Sequence, residues 1–212
     1  MNTEALIKSL SDDVKPVKPM IAPSLQLIAW SIFSILIVFQ LTAHTGEFRP
    51  GFAQQLIDNP RFFLETSTGI VTAILAALTG IVLAIPGAAE SKFLVALTST
   101  MLVIWFSLFL YGLIDPALTP SMVGKRPTCF SEVFLFSGPP ILMLVFLLRR
   151  GVTILRNLSG VFLAVSACLL PSSAMQVACM YDPVHNLKFH VLPVVVMAIL
   201  GLGLGVLALR KP

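Results

Sequence analysis

Long apolar runs alternate with short polar segments along the whole chain. Six of these runs approach the roughly 20 apolar residues that a helix needs to cross about 30 Å of hydrocarbon. Because backbone groups in lipid must be satisfied within their own segment, each run is predicted to be a transmembrane helix. The predicted spans cover residues 25–43, 69–88, 93–114, 130–148, 157–177 and 189–209. The pattern therefore predicts an all-α membrane protein, a bundle of about six transmembrane helices.

Breaks in the apolar pattern divide the chain further. A Pro-Gly pair at 86–87 ends the second run, and a Pro-Pro pair at 139–140 lies inside the fourth run, where it is predicted to kink the helix. Residues 1–24 precede the first span. We therefore expect an N-terminal tail over residues 1–24 and a transmembrane domain over residues 25–212.

Composition supports lipid as the solvent. Of the 212 residues, 57% are hydrophobic and 11% are charged, whereas an ordinary soluble domain has roughly 25% charged residues. The net charge of +4 could suggest a nucleic-acid partner. We reject that partner because the basic residues form short clusters between apolar runs, the distribution that the positive-inside rule produces. The bilayer is the expected partner.

The distribution of Lys and Arg predicts the orientation. With a cytoplasmic N-terminus, the inner side would carry nine basic residues, namely Lys8, Lys15, Lys18, Lys92, Arg149, Arg150, Arg156, Arg210 and Lys211. The outer side would carry five, namely Arg49, Arg61, Lys125, Arg126 and Lys188. This excess places both termini in the cytoplasm. In a bacterium, such a chain belongs in the inner membrane, because outer-membrane spans are short alternating strands.

Small residues recur every four positions in three of the predicted helices. They are Gly69, Ala73 and Ala77 in the second, Gly160, Ala164 and Cys168 in the fifth, and Gly201 and Gly205 in the sixth. Such faces allow helix backbones to approach closely in lipid. Packing within one bundle is the first interpretation. A homodimer through Gly201 and Gly205 is the alternative.

Signatures of catalysis are missing from the sequence. It contains no glycine-rich phosphate loop, no H-E-x-x-H helix and no C-x-x-C pair. We therefore expect no enzyme, no catalytic residue and no resident cofactor. A small-solute transporter or channel remains an alternative, although the middle of each predicted span lacks the ionisable groups that coupled transporters use.

Two cysteines are predicted to lie at the outer face. Cys129 opens the fourth helix and Cys179 ends the fifth, whereas Cys168 lies inside the fifth helix as a packing residue. Consecutive helices joined by a short inner loop pack antiparallel, which brings Cys129 and Cys179 to a similar depth. In an oxidising compartment they could form a disulfide if their Cα atoms come within about 7 Å.

The loop after the fifth helix adds candidate metal ligands. Cys179, Asp182 and His185 follow one another closely, and thiolate with imidazole suits zinc-like or thiophilic metals. The candidate set is Cys129, Cys179, Asp182 and His185, for a transient metal at the outer cysteines. His44 and His190 are also predicted near the outer surface. Three interpretations stay open: a bound metal, a redox- or metal-responsive thiol pair, and two unrelated surface cysteines.

The N-terminal tail carries a short amphipathic helix. Its apolar stripe is formed by Leu6, Ile7, Leu10 and Val14. Pro16 ends the predicted helix by proline sterics. Such a stripe suits docking into the groove of a partner protein. The alternative is a helix on the membrane surface, which the acidic pair Asp12-Asp13 disfavours.

Several short motifs follow one another on this six-span layout, namely Leu6-Ile7…Leu10…Pro16-Val17, Gly46-x-x-Arg49, Pro86-Gly87, Cys129, Arg149-Arg150 and Cys179…Asp182. In this order they resemble the NrsF-like negative regulators of an extracytoplasmic-function sigma factor, six-helix anti-sigma proteins of the bacterial inner membrane.

The resemblance implies a function in transcription regulation and stress response. It implies that the N-terminal segment, with Leu6, Ile7, Leu10, Val14 and Pro16, sequesters the sigma factor. It also implies that the two outer cysteines are the sensor for a periplasmic metal or oxidant, and that their change releases the sigma factor.

Overall fold

The computed structural model describes residues 3–12, 21–85, 91–148 and 155–209. Its helices are α1 (Thr3–Asp12), α2 (Pro23–Thr45), α3 (Phe52–Asp58), α4 (Pro60–Leu83), α5 (Lys92–Tyr111), α6 (Cys129–Phe136), α7 (Gly138–Leu148), α8 (Arg156–Ala178), α9 (Pro183–Asn186) and α10 (Leu192–Ala208). A π-helical turn over Leu187–Val191 joins α9 to α10. Within the described residues, six helical segments are long and apolar enough to cross a membrane. The prediction of an all-α membrane protein with six spans is confirmed.

The six spans alternate in direction and give the bundle two ends. The cysteine end is defined by Thr45, Pro60, Tyr111, Cys129, Ala178 and Pro183. The tail end is defined by Pro23, Leu83, Lys92, Leu148, Arg156 and Ala208. The 23 residues of α2 rise roughly 35 Å. The N-terminal tail, which precedes Pro23, therefore joins the bundle at the end opposite the cysteines.

Helix α8 forms the centre of the bundle. Most of its residues are buried, and α4 and α10 make the most extensive contacts with it, with α2, α6 and α7 also packed against it. By contrast, α5 packs mainly on α4 and exposes Phe93, Val103 and Leu110. In a bilayer these exposed apolar side chains would lie against the hydrocarbon chains of the lipids.

The small-residue faces are used inside the bundle. A Cβ atom on Gly160 would collide with backbone atoms of Gly201 and Gly205, so α8 and α10 touch backbone to backbone. A Cβ atom on Gly80 would lie 2.6 Å from the Leu163 side chain, so α4 approaches α8 in the same way. This geometry agrees with packing in one bundle. A homodimer through Gly201 and Gly205 would have to displace α8.

The second span starts earlier than the sequence predicts. The hydropathy pattern places its start at residue 69, but α4 begins at Pro60. The charges of Arg61 and Glu65 lower the hydropathy of this segment, so the sequence did not predict a span there. In the structure the two side chains pair within the first turns of α4, with Arg61 Nε 3.5 Å from Glu65 Oε1. The predicted end of this run, with the Pro-Gly pair at 86–87, lies outside the described residues.

The fourth and sixth spans contain irregular backbone. The fourth span, in which a kink was predicted at the Pro-Pro pair at 139–140, is divided just before that pair, since α6 ends at Phe136 and α7 starts at Gly138. The Pro140 carbonyl accepts the Trp30 indole N–H at 3.0 Å, which ties α7 to α2. The last span begins at Pro183, not at residue 189, so the predicted last loop shortens to residues 179–182.

Candidate functional site

The structure brings Cys129 and Cys179 together at the cysteine end. Cys129 is the first residue of α6 and Cys179 follows the last turn of α8. Both are buried free thiols with their sulfur atoms 2.6 Å apart. Their hydrogen bond lowers the pKa of the Cys179 thiol. A disulfide could form here with little side-chain movement.

Two histidines complete a cluster around the thiols. His185 Nε2 lies 3.3 Å from Cys179 Sγ, and the ring of His190 packs edge-on against the ring of His185. One ligating atom from each of Cys129, Cys179, His185 and His190 lies within 4.8 Å of the other three. Neither ring nitrogen of His190 makes a hydrogen bond of ordinary geometry with another described residue, although its side chain is fully buried and lies near the Cys179 thiol.

Asp182, which the sequence grouped with these ligands, has a different position. Its Oδ1 accepts a hydrogen bond from the backbone N–H of His185 at 2.7 Å, so it caps the N-terminus of α9. The structure therefore gathers Cys129, Cys179 and His185 of the predicted set and adds His190. Asp182 orients the turn that carries His185.

A π-helical turn explains why the sequence pattern did not place His190 in the candidate ligand set. In an α-helix, residues five apart point about 140° away from each other. A π-helix has i to i+5 hydrogen bonds and a wider turn, so residues five apart lie closer to the same side than in an α-helix. The π-helical turn at Leu187–Val191 therefore brings His190 to the side of His185. Scanning histidines at five-residue spacing is the one signal that could have found the pair.

Arg49 supports the backbone of the thiol cluster. Its Nη1 donates to the Cys179 carbonyl at 2.7 Å and its Nε donates to Gln55 Oε1 at 3.0 Å. The guanidinium also lies over the Phe62 ring, 5.2 Å from the centroid. Burial lowers the pKa of Arg49. The Gly46-x-x-Arg49 motif thus has a structural role that the sequence did not assign.

Arg126 connects the start of α6 to the end of α2. Its Nη2 donates to the carbonyls of Thr42, Gly46 and Glu47 at 2.7–3.0 Å, and its Nη1 lies 3.3 Å from Glu132 Oε2. The Arg126 carbonyl in turn accepts the Cys129 thiol at 3.4 Å. A single buried arginine therefore contacts both the C-terminus of α2 and the thiol cluster.

Tyr181 binds the long loop between α5 and α6 to the cysteine end of the bundle through hydrogen bonds. Its hydroxyl accepts the backbone N–H of Ala117 at 2.8 Å and donates to Glu65 Oε2 at 3.4 Å. Its carbonyl accepts the backbone N–H of Ser121 at 2.9 Å. Burial, and then the negative charge of Glu65, raise the pKa of Tyr181 to about 12. The phenol therefore stays neutral at physiological pH.

At the other end of the bundle, the N-terminal tail begins with α1. Leu6 is 39% exposed and Ile7 is 61% exposed, so this part of the apolar stripe is open. The Leu10 side chain, Val14 and Pro16 lie outside what the structure describes.

Comparison with known protein families identifies one match. The family model described as negative regulator of sigma F, NrsF, matches residues 10–210. No curated protein and no solved structure matches the chain. The family match covers nearly the whole chain and confirms the resemblance drawn from the sequence motifs. This six-span membrane protein therefore belongs to the NrsF family of negative regulators of sigma F.

Proposed function

We propose that this protein is an anti-sigma factor of the bacterial inner membrane that sequesters an extracytoplasmic-function sigma factor through its cytoplasmic N-terminal segment. Release would follow a metal or redox signal at Cys129 and Cys179 in the periplasm. One observation carries the proposal: the thiol cluster and the tail lie at opposite ends of one bundle, joined by α2. A device that passes a signal across a membrane requires this separation.

The tail has the character of a docking segment. The exposed Leu6 and Ile7 lie on a helix that precedes the first span, where a cytosolic partner could reach them. An amphipathic helix binds a groove through side chains at i, i+3, i+4 and i+7. Leu10 and Val14 would extend the same stripe, and Pro16 would end it.

The route from sensor to tail runs through α2. The Arg126 side chain donates to carbonyls at the end of α2, and its backbone carbonyl accepts the thiol of Cys129. A change at the cysteines would alter this contact and shift α2 against α8. Switching the sigma factor from almost fully bound to almost fully free needs about 5.5 kcal/mol of differential stabilisation. Metal–thiolate or disulfide chemistry can supply that amount.

Each signal has balanced chemistry. A thiophilic metal ion would displace one proton from each thiol and bind both sulfur atoms. Hydrogen peroxide would oxidise the two thiols to one disulfide, with the two protons and two electrons reducing the peroxide to two water molecules. Both reactions would change the packing of α6 against the end of α8.

A pull-down experiment tests the tail. The double variant Leu6→Asp/Ile7→Asp should lose the sigma factor from purified membranes, as should a chain lacking residues 1–19. Lys8→Asp is the matched control, because it adds an acidic side chain to the same helix outside the predicted stripe. Retention of the sigma factor by the shortened chain would refute tail-mediated sequestration.

The sensor is tested on the same complex. The Cys129→Ser/Cys179→Ser variant should hold the sigma factor through a challenge with cadmium or peroxide that releases it from the parent. Cys168→Ser is the control, because its thiol is buried within α8, away from the cluster. Release from the double variant at parental levels would rule out these cysteines as the sensor.

A further inference from the structure

We infer that Cys129, Cys179, His185 and His190 form a resident tetrahedral site for a zinc-like ion, in which His190 is a ligand and Asp182 is not. The inference deepens the proposed function and rests on it for the meaning of the site in signalling. The four donors come from three parts of the fold: the start of α6, the end of α8 and the start of the last span.

The donor set fits the chemistry of this ion. Two thiolates and two imidazoles are a common tetrahedral zinc set, with Zn–S distances of about 2.3 Å and Zn–N distances of about 2.0–2.1 Å. Such a tetrahedron separates its donor atoms by about 3.4–3.8 Å. The four ligating atoms here all lie within 4.8 Å of one another, and the two sulfur atoms are 2.6 Å apart. Shifts of about 1 Å would therefore bring them to ligand geometry.

His190 provides the independent observation. A fully buried imidazole normally satisfies at least one ring nitrogen, because an unpaired buried polar group loses its hydrogen bonds to water without replacement. Neither nitrogen of His190 makes a hydrogen bond of ordinary geometry in the described part of the chain, although its ring lies beside His185 and near the Cys179 thiol. A metal ion would give one of these nitrogens a partner.

The backbone around the site is built to hold the histidines. The π-helical turn at Leu187–Val191 brings His190 to the side of His185, and Asp182 caps the turn that carries His185. π-Helical turns are rare and occur frequently at functional sites. Arg49 fixes the Cys179 carbonyl from the opposite side.

The charge of the assembled site suits its burial. A divalent ion with two thiolates and two neutral imidazoles carries no net charge, so no uncompensated ion is buried. Loading the site releases two thiol protons to solvent. The ion would clamp α6, α8 and the last span together. Hydrogen peroxide would break that clamp by taking two electrons from the two thiolates, which form a disulfide and release the ion, while a larger thiophilic metal that replaced the ion would change the metal–sulfur distances.

Cobalt titration of the full chain, reduced and purified in detergent, tests the site. We expect one Co²⁺ per chain, with thiolate-to-cobalt charge transfer and the intense visible bands of tetrahedral coordination, both removed by one equivalent of Zn²⁺. A stoichiometry below one or octahedral spectra would overturn the assignment. In the same chain, Zn²⁺ should slow alkylation of Cys129 and Cys179, and unchanged alkylation rates would also overturn it.

Variants assign the fourth ligand. His190→Ala should weaken Co²⁺ binding by about 100-fold or more, since even outer-shell changes cost 10- to 100-fold. His44→Ala removes an exposed histidine outside the cluster and should bind like the parent. Parental affinity in His190→Ala would overturn the inference. Asp182→Asn should keep tetrahedral spectra, and loss of those spectra would return Asp182 to the ligand set.

The two hypotheses fail separately. If Cys129→Ser/Cys179→Ser abolishes sigma-factor release while His190→Ala binds metal normally, the four-ligand site is wrong and the proposed function stands. If the chain binds one tetrahedral ion but retains the sigma factor without residues 1–19, the site stands and tail-mediated sequestration is wrong. The alkylation assay on the parent keeps the test valid even if His190→Ala does not fold.

Discussion

The two ends of the bundle are held together by different physics. At the tail end, α8 and α10 meet backbone to backbone through Gly160, Gly201 and Gly205. At the cysteine end, α2, α6 and α8 are joined by buried polar groups, among them Arg49 and Arg126. Close backbone contact dominates the first end, where Arg156 also donates to the Val206 carbonyl at 3.0 Å. Buried hydrogen bonds and ion pairs dominate the second end.

Under the proposed function, this difference favours the cysteine end as the one that switches. Closely packed backbones have one good arrangement, because any displacement opens voids or creates overlap. Buried polar networks can exchange partners, provided that each donor and acceptor finds another. A chemical change at the thiols could therefore re-pair Arg126 or Arg49 while the glycine contact keeps α8 and α10 in register. We expect α2, which Arg126 contacts directly, to move most.

The largest effect should come from removing Arg126. In Arg126→Ala, Glu132 loses its buried ion-pair partner, and the carbonyls at the end of α2 lose their donors. Breaking a buried pair in this way costs about 3–5 kcal/mol. We expect a strong drop in the unfolding midpoint of the detergent-solubilised protein.

Lys125→Ala is the matched control for this variant, because the neighbouring side chain is exposed. If both variants unfold at the same midpoint, the cysteine end does not depend on directional contacts, and the contrast between the two ends disappears. Arg126→Lys sharpens the test. It keeps the charge but loses the planar fork that reaches several carbonyls at once, so its midpoint should lie between those of the parent and Arg126→Ala.

A smaller effect is expected from filling the glycine contact. Gly160→Val would place side-chain atoms in the backbone of α10, and overpacking of this kind costs about 1–3 kcal/mol. Gly203→Val is the control, because nothing lies within 4 Å of a Cβ atom at that exposed glycine. Equal unfolding midpoints for the two variants would show that close approach is not what holds the tail end.

Much of the fold could be predicted from the sequence, because lipid imposes a simple rule on the backbone. Each span had to be a helix of about 20 apolar residues, and the part of the chain that the structure describes contains six such spans. The rule failed at the start of the second span, which was predicted at residue 69 because the polar side chains before it were taken to lie outside the bilayer. Arg61 and Glu65 pair with each other inside α4, and hydropathy cannot register such a pairing.

The site was predictable only in part. Antiparallel packing of consecutive helices was enough to place Cys129 near Cys179. Arg49 and Arg126 were counted as charges for the orientation, yet both are buried. Arg126 contacts Gly46, 80 positions earlier in the chain, and no local pattern reports such a contact. His190 was hidden because its alignment with His185 depends on a local change of helix type.

The smallest effect should come from a single neutral hydrogen bond at the tail end. Ser159 Oγ donates to the Gly80 carbonyl at 2.7 Å and ties α8 to α4. That carbonyl also accepts the backbone N–H of Ala84 at 3.2 Å, so it keeps a partner when the hydroxyl is removed. Hydrogen bonds between membrane helices average about 0.6 kcal/mol.

Ser159→Ala should therefore lower the free energy of unfolding by about that amount, measured beside Ser131→Ala, whose hydroxyl is exposed. A loss as large as that of Arg126→Ala would mean that polar contacts govern both ends, and the division between a rigid end and a switching end would have to be abandoned.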